Sequence, residues 1–185
     1  MAPLNWVVWA SWAVFLLVWA ILSLQAKVSV RRAAGRVNMA WRLGVFAVAV
    51  LLGEAMARGW LPRTTFPYGV RLVGAGLTVA GIGFAIWARL SLGGNWGMPM
   101  TLRENPELVT GGPYAFVRHP IYTGIIFGFL GTALTVGVWW LSVLLLGFGY
   151  FAMSARREER DMVERFPDAY PAYRARTKML IPFVF

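Results

Sequence analysis

Apolar residues occur in four long windows, and the polar residues lie between and after them. The first three windows are Trp6–Leu24, Met39–Ala57 and Val70–Leu90. Each can cross a hydrocarbon core of about 30 Å as a helix that rises about 1.5 Å per residue. The fourth window, Ile121–Met153, is too long for one span, and Gly137 predicts a tight turn inside it. The pattern therefore predicts an all-α integral membrane protein with five transmembrane helices, the last two forming a helical hairpin.

The composition supports a membrane protein and leaves no room for a separate soluble domain. Of the 185 residues, 58% are hydrophobic, and the mean hydropathy is positive. The first window has no basic region before it and no small-residue cleavage site after it, so we interpret it as a retained span and not a signal peptide. We expect residues 1–185 to form a single membrane domain in which residues 1–91 carry three N-terminal transmembrane helices.

Lysine and arginine predict the orientation in the membrane. They are concentrated in the first loop, the third loop and the C-terminal tail, whereas the second loop is flanked only by Arg58, Arg63 and Arg71. Because basic residues are retained on the cytoplasmic side, the N-terminus should lie outside and the C-terminus in the cytoplasm, as in a bacterial-type inner membrane protein. The net charge of +10 then indicates contact with anionic membrane lipids, and no nucleic-acid partner is inferred from it.

The residue inventory excludes several kinds of chemistry. The chain has no cysteine and one histidine. Disulfides, thiolate nucleophiles, cysteine zinc sites and histidine-rich metal sites are therefore excluded, and we predict no metal site.

Small residues recur at helix-packing spacing in the third and fourth windows. The pairs are Gly74 with Thr78, Gly76 with Ala80, Gly81 with Ala85, and Gly124 with Gly128. Such pairs let two helix backbones approach closely, so we expect these faces to pack within a bundle.

The stretch GGPYAFVRHPIYTG, residues 111–124, brings the first candidate chemistry. Pro120 suits the first turn of a helix, so His119 or Pro120 should begin the fourth span. The helix N-terminus and Arg118 would favour an anion there, and Tyr122 lies on nearly the same helix face as His119. The alternative is that Arg118 reaches lipid phosphate and His119 caps the helix.

A second candidate follows the last apolar window. Glu159, Met162, Val163 and Phe166 fall at i, i+3, i+4 and i+7, which puts Glu159 on an apolar, inward-facing stripe, whereas Glu158 should point elsewhere. A buried carboxylate needs a partner, so Glu159 should meet either a cationic group of a ligand or an internal salt bridge.

Glu54 and Arg58, four residues apart in the second window, are expected to form a structural ion pair far from this region.

Together, LVTGGPYAFVRHPIYTG, a helical hairpin and EERDMVERFPDAYPAYRARTKMLIP resemble the C-terminal half of the isoprenylcysteine carboxyl methyltransferase family, which is related to membrane phospholipid N-methyltransferases. The resemblance covers about residues 92–182. It implies an integral membrane methyltransferase that binds S-adenosylmethionine in a cytosolic pocket covered by the C-terminal helix and tail. Residues 92–185 would be its cofactor-binding and catalytic core, and a hydrophobic or lipid-like molecule its substrate.

The resemblance also implies roles for individual residues. Positions implied to line or contact the bound cofactor are Leu108, Val109, Gly112, Tyr114, His119 and Tyr122. Glu158 or Glu159 would pair with its amino group, and Arg118 or Arg174 would orient an anionic acceptor such as a carboxylate. An ionised acceptor needs no general base, whereas an amine or thiol would need one, and Tyr122 or Glu159 would then be the candidates.

Two positions depart from the family pattern, and two other classes of protein stay open. Gly94 stands where the family commonly has arginine, and Pro167 where glycine is usual. Membrane sterol reductases, which use NADPH, share a similar C-terminal core but are generally longer. A non-enzymatic membrane scaffold would bind no cofactor and would give His119 and Glu159 no special role.

Overall fold

The computed structural model describes residues 3–23, 29–32, 66–93, 101–103 and 107–181, together with scattered positions between 43 and 60. The helices with defined bounds are α1 (Pro3–Ser23), α2 (Tyr68–Leu92), α3 (Pro120–Val136), α4 (Trp140–Arg165) and α5 (Ala169–Arg176). A 3-10 turn, Gly112–Ala115, precedes α3. Two short strands, β1 (Ser29–Arg32) and β2 (Thr101–Arg103), pair antiparallel.

The helices follow the apolar windows closely. Two of them, α1 and α2, are long and apolar enough to cross a membrane, judged by length and composition, and α3 is a shorter apolar helix. The predicted break at Gly137 is confirmed, because α3 ends at Val136 and α4 begins at Trp140. The predicted second span, Met39–Ala57, lies mostly outside the described residues, so the count of five spans stays a prediction.

The strand pair was not predicted, because segments of three or four residues are too short to show an alternating pattern. Ser29 is paired with Arg103, and Arg32 with Thr101. The pairing brings the first predicted loop and the third to the same end of the helices, as an orientation with both loops on one side of the membrane requires.

Glycines bring α2 and α3 into backbone contact. A Cβ at Gly81 would lie 2.6 Å from the carbonyl oxygen of Gly124, and a Cβ at Gly74 would lie 2.8 Å from that of Gly131. Side chains larger than hydrogen would therefore force the helices apart. The packing predicted for Gly74, Gly81 and Gly124 is confirmed, whereas that for Gly76 is wrong: a Cβ there would meet no atom within 4 Å.

Polar side chains fasten α1 to the α2–α3 pair. Trp12 Nε1 donates to Thr132 Oγ1 at 2.9 Å. Arg71, near the start of α2, donates to the carbonyl oxygen of Thr135 at 3.0 Å and to Asn5 Oδ1 at 3.1 Å. The bond from Arg71 satisfies the carbonyl oxygen of Thr135, which lies at the C-terminal end of α3 and lacks a partner within its own helix.

The expected pair of Glu54 and Arg58 is confirmed, with Arg58 Nε 3.1 Å from Glu54 Oε2. Both side chains are exposed, at 58% and 60%, so the pair contributes little to stability.

Candidate active site

The site lies where the N-terminus of α3, the polar half of α4 and the segment after α5 meet. The apolar part of α4 ends near Met153, and the helix continues without a break to Arg165. This continuation carries Glu158 and Glu159 alongside Arg118 and His119, which immediately precede α3. The turn between α3 and α4 therefore brings together residues that are about forty positions apart in the sequence.

A buried ion pair forms the deepest part of the site. Arg118 Nε donates to Glu159 Oε1 at 2.6 Å, and the two side chains are only 8% and 7% exposed. Arg174 Nε lies 3.7 Å from the other carboxylate oxygen, but its side chain is 58% exposed. Of the two partners left open for Glu159, the structure shows the internal salt bridge.

Arg118 also holds the segment after α5. Its Nη1 donates to the carbonyl oxygens of Thr177 and Arg174, the latter at 3.3 Å. Between these carbonyls and Glu159, the guanidinium is enclosed by protein acceptors. Of Arg118 and Arg174, only Arg174 presents a largely exposed cation.

Glu158 faces the same site, contrary to the expectation that it would point elsewhere. Tyr122 Oη donates to Glu158 Oε1 at 2.6 Å, and His119 Nδ1 lies 3.5 Å from Glu158 Oε2. Glu158 meets Tyr122 of α3 and Glu159 meets Arg118, so two adjacent residues about 100° apart around α4 both find partners.

His119 is enclosed between the two carboxylates. Its ring stacks on Tyr122 with centroids 5.5 Å apart, and Tyr122 stacks in turn on Phe151 at 4.7 Å. His119 Nε2 lies 3.5 Å from Glu159 Oε1 and makes no hydrogen bond within the described part of the chain. A buried nitrogen without such a bond is uncommon in a structural role.

The charges of the cluster shift the titration of His119 and Glu159 in opposite directions. Burial alone lowers the pKa of His119, but the Glu158 and Glu159 carboxylates 3.5 Å away and their negative charge outweigh it, so the pKa is raised above its usual value. Burial alone raises the pKa of Glu159, but the nearby His119 ring, the hydrogen bond from Arg118 and the positive charge of both hold it below its usual value.

The C-terminal segment covers the N-terminus of α3 through backbone pairing. The N–H of Arg118 donates to the carbonyl oxygen of Lys178 at 2.8 Å, and the N–H of His119 donates to that of Met179 at 3.1 Å. Thr123 Oγ1 donates to the carbonyl oxygen of Leu180 at 2.5 Å. The N–H groups of Arg118 and His119 are therefore already satisfied within the chain.

The GGP turn lies against the end of α2. Gly112 has φ = +60°, and a Cβ there would lie 3.3 Å from Ser91 Oγ, so both its conformation and its surroundings favour glycine. Tyr114 is buried, and its carbonyl oxygen accepts a hydrogen bond from Tyr173 at 2.6 Å. Leu108 and Val109 lie half-buried on the approach to this turn.

The sequence did not identify Thr123 and Tyr173 as parts of this arrangement. Thr123 bonds to its own helix, at the carbonyl oxygen of His119, and across to Leu180. The first bond is local and common, but the second depends on a residue 57 positions away, for which no local pattern gives a signal. The bond from Tyr173 to the carbonyl oxygen of Tyr114 likewise spans 59 positions.

A family comparison covers most of this region. The sequence model described as "Phospholipid methyltransferase" matches residues 70–169, more than half of the chain.

Three curated relatives illustrate the range of similar proteins. The cobalt-zinc-cadmium resistance protein CzcN of Cupriavidus metallidurans is 32% identical over 147 residues, 77% of this chain and 62% of that protein. The protein-S-isoprenylcysteine O-methyltransferase of Schizosaccharomyces pombe is 37% identical over 79 residues, 42% of this chain and 34% of that protein. A methanethiol S-methyltransferase of Pseudomonas sp. is 32% identical over 80 residues, 43% of this chain and 30% of that protein. The chain thus spans about three fifths of the length of the first of these relatives.

A solved structure has a similar fold. It is the eukaryotic intramembrane Ras methyltransferase ICMT, isoprenylcysteine carboxyl methyltransferase, with a TM-score of 0.64 and 22% sequence identity. The alignment covers 100% of this chain and 69% of that chain. At this identity, the likeness establishes the fold alone.

Proposed function

This chain belongs to the phospholipid methyltransferase family, and from that premise we propose that it is an S-adenosylmethionine-dependent integral membrane methyltransferase. Its acceptor is a hydrophobic or lipid-like molecule, with a carboxylate as the first choice. One observation carries the proposal: the buried cluster of Arg118, His119, Tyr122, Glu158 and Glu159 lies wholly within the matched residues 70–169.

The side chains of the cluster suit the charges of the cofactor. S-adenosylmethionine carries an ammonium, a carboxylate and a sulfonium, so its pocket needs acceptors for two cations and a donor for one anion. Glu158 is 26% exposed, against 7% for Glu159, and is the carboxylate that a ligand reaches first. His119 Nε2 and the exposed guanidinium of Arg174 supply donors for an anion. The residues present therefore fit the cofactor.

The chain's own residues bind and align more than they react. When bound, the cofactor would supply a methyl group that passes in line from its sulfonium sulfur to the acceptor, with the neutral thioether as the leaving group. Glu158 binds the ammonium and is held in place by Tyr122, while the Arg118–Glu159 pair fixes the covering segment. The stacked rings of Tyr122 and Phe151 exclude water. Alignment and desolvation of this kind supply much of the rate of a displacement.

A carboxylate acceptor suits the charges of the site better than a neutral one. Tyr122 already donates to Glu158, and Arg118 to Glu159, so neither carboxylate stands ready as a strong base. An acceptor that is ionised before it binds requires no base, and Arg174 is exposed for its recognition. The curated relatives named for carboxyl and thiol methylation leave a thiolate as the second choice.

The same charges disfavour an NADPH-dependent reductase. A dinucleotide brings several phosphate charges, whereas the described site places two carboxylates beside Arg118, whose guanidinium is already engaged. A scaffold is disfavoured because it gives no reason to hold two glutamates, a histidine and an arginine together below the surface. Clusters of ionisable side chains of this kind are typical of functional sites.

We place the protein across a bacterial-type inner membrane with five spans. The N-terminus lies outside, and residues 92–185 form the cofactor-binding core on the cytoplasmic side. The supporting observations are the distribution of basic residues and the two long apolar helices.

Calorimetric titration of the detergent-purified protein tests the proposal. We expect S-adenosylhomocysteine to bind and NADPH not to bind. The substitution Glu158→Gln should lower the affinity for S-adenosylhomocysteine at least tenfold, about 1.4 kcal/mol. The exposed Glu54→Gln serves as a matched charge-removal control. Methyl transfer from labelled cofactor is then measured with N-acetyl-S-farnesylcysteine, hexadecanoate and an alkanethiol. Binding of NADPH alone, or of neither compound by folded protein, contradicts the proposal.

A further inference from the structure

Ser154 is exceptional among the hydroxyl side chains of the described helices. A helical serine or threonine commonly donates to the carbonyl oxygen three or four residues earlier, because that acceptor is always within reach. Those that do so here are Ser11, Thr78, Ser91, Thr123, Thr132, Thr135 and Ser142. Ser154, in the middle of α4, makes no hydrogen bond within the described part of the chain.

This hydroxyl is also fully buried, with 0% of Ser154 exposed. A buried polar group without a partner destabilises the fold, and alanine at this position would carry no such penalty. The local alternative, a bond to the carbonyl oxygen of Tyr150, is not made.

The position of Ser154 relates it to the candidate active site. It lies one turn before Glu158, about 40° away around the helix and about 6 Å nearer the apolar half of α4. Tyr122 contacts α4 at Phe151 and at Glu158, which lie three residues before and four residues after Ser154 and within about 60° of it around the helix. A ligand bound at Glu158 would have to extend toward the apolar half of α4 to reach this hydroxyl.

We propose that Ser154 determines acceptor specificity by donating a hydrogen bond to the polar, methyl-accepting end of the lipid-like substrate. This rests on the proposed function. The cofactor's ammonium belongs with Glu158, and the substrate enters from the apolar side, so the group that meets Ser154 belongs to the acceptor. Because the Ser154 hydroxyl is fully buried, the acceptor must displace the side chains that cover it.

The test is the kinetics of Ser154→Ala with the best acceptor of the panel above. We expect KM for the acceptor to rise about tenfold, whereas kcat, KM for S-adenosylmethionine and Kd for S-adenosylhomocysteine stay within twofold. Ser154→Thr, which keeps the hydroxyl, should restore KM. The ligand-free variant should unfold at the same temperature as the parent protein or higher, since a buried hydroxyl without a partner is lost.

Ser142→Ala is the matched control on the same helix. Its hydroxyl donates to the carbonyl oxygen of Trp139 at 2.7 Å, so its loss should affect stability and leave acceptor KM unchanged. If Ser154→Ala turns over with an unchanged acceptor KM, the inference is overturned and the proposed function stands. The same holds if the variant lowers the affinity for S-adenosylhomocysteine and leaves the acceptor KM unchanged. Failure of the parent protein to methylate any acceptor overturns the proposed function, and the inference with it.

Discussion

The buried pair of Arg118 and Glu159 allows a quantitative test of how the site is built. The perturbation is Glu159→Gln, Arg118→Met and the combination of both. The paired atoms are 2.6 Å apart and both side chains are more than nine-tenths buried. At an effective dielectric constant of about 20, unit charges about 4 Å apart attract by about 4 kcal/mol.

Each single variant leaves its partner charged and buried, so we expect each to lower the free energy of unfolding by about 3–5 kcal/mol. The double variant removes both charges and should lose less than the sum, with a coupling energy of about 2–3 kcal/mol. Glu54→Gln is the control, because its pair with Arg58 is exposed, and its effect should stay below about 0.5 kcal/mol.

Unfolding in mixed detergent micelles, followed by the fluorescence of the ten tryptophans, measures these differences. Additive effects, with a coupling energy below about 0.5 kcal/mol, would refute the ion pair as a stabilising element. A Glu159→Gln protein of unchanged ligand-free stability that fails to bind S-adenosylhomocysteine would instead make Glu159 the ligand for the cofactor's amino group.

Three further outcomes are expected. Glu158→Gln should weaken S-adenosylhomocysteine at least tenfold in calorimetry while the unfolding temperature stays within about 2 °C, and a loss of stability instead would make Glu158 structural. Gly81→Ala should lower the free energy of unfolding by more than about 2 kcal/mol through the clash with the Gly124 carbonyl, whereas Gly76→Ala, which meets open space, should be neutral or stabilising. The pKa of His119 is raised in the folded chain, so the native state binds more protons than the unfolded state. Stability should therefore fall as pH rises from about 6.5 through the raised pKa. The substitution His119→Gln should flatten the stability profile between about pH 6 and 9, and an unchanged slope would contradict the assignment.

Elements and their packing were predictable where the signal is local. The apolar windows predicted α1 and α2, and Gly137 predicted the break between α3 and α4. Glycine spacing identified the contact of α2 with α3, because a residue that recurs every four positions keeps to one face of a helix. Gly76 was misplaced because it lies two positions from Gly74 and therefore points away from that face.

The members of the site were more predictable than their partners. Periodicity correctly buried Glu159, although Val163 of the same stripe is 36% exposed. The partner of Glu159 depended on which cation the fold places next to it. The turn between α3 and α4 places Arg118 there. A local pattern cannot choose between an internal cation and a ligand for a carboxylate, since both satisfy the same charge.

The sequence predicted an anion at the N-terminus of α3, and the C-terminal segment covers part of that surface. The N–H groups of Arg118 and His119 are occupied by carbonyl oxygens of Lys178 and Met179, some sixty residues later. Arg174 presents an exposed guanidinium 3.7 Å from Glu159, and we propose that it meets the carboxylate of a ligand. It lies on α5, immediately before the covering segment. Arg174→Gln should accordingly weaken an anionic acceptor and leave the buried Arg118–Glu159 pair intact, which the unfolding assay above can verify.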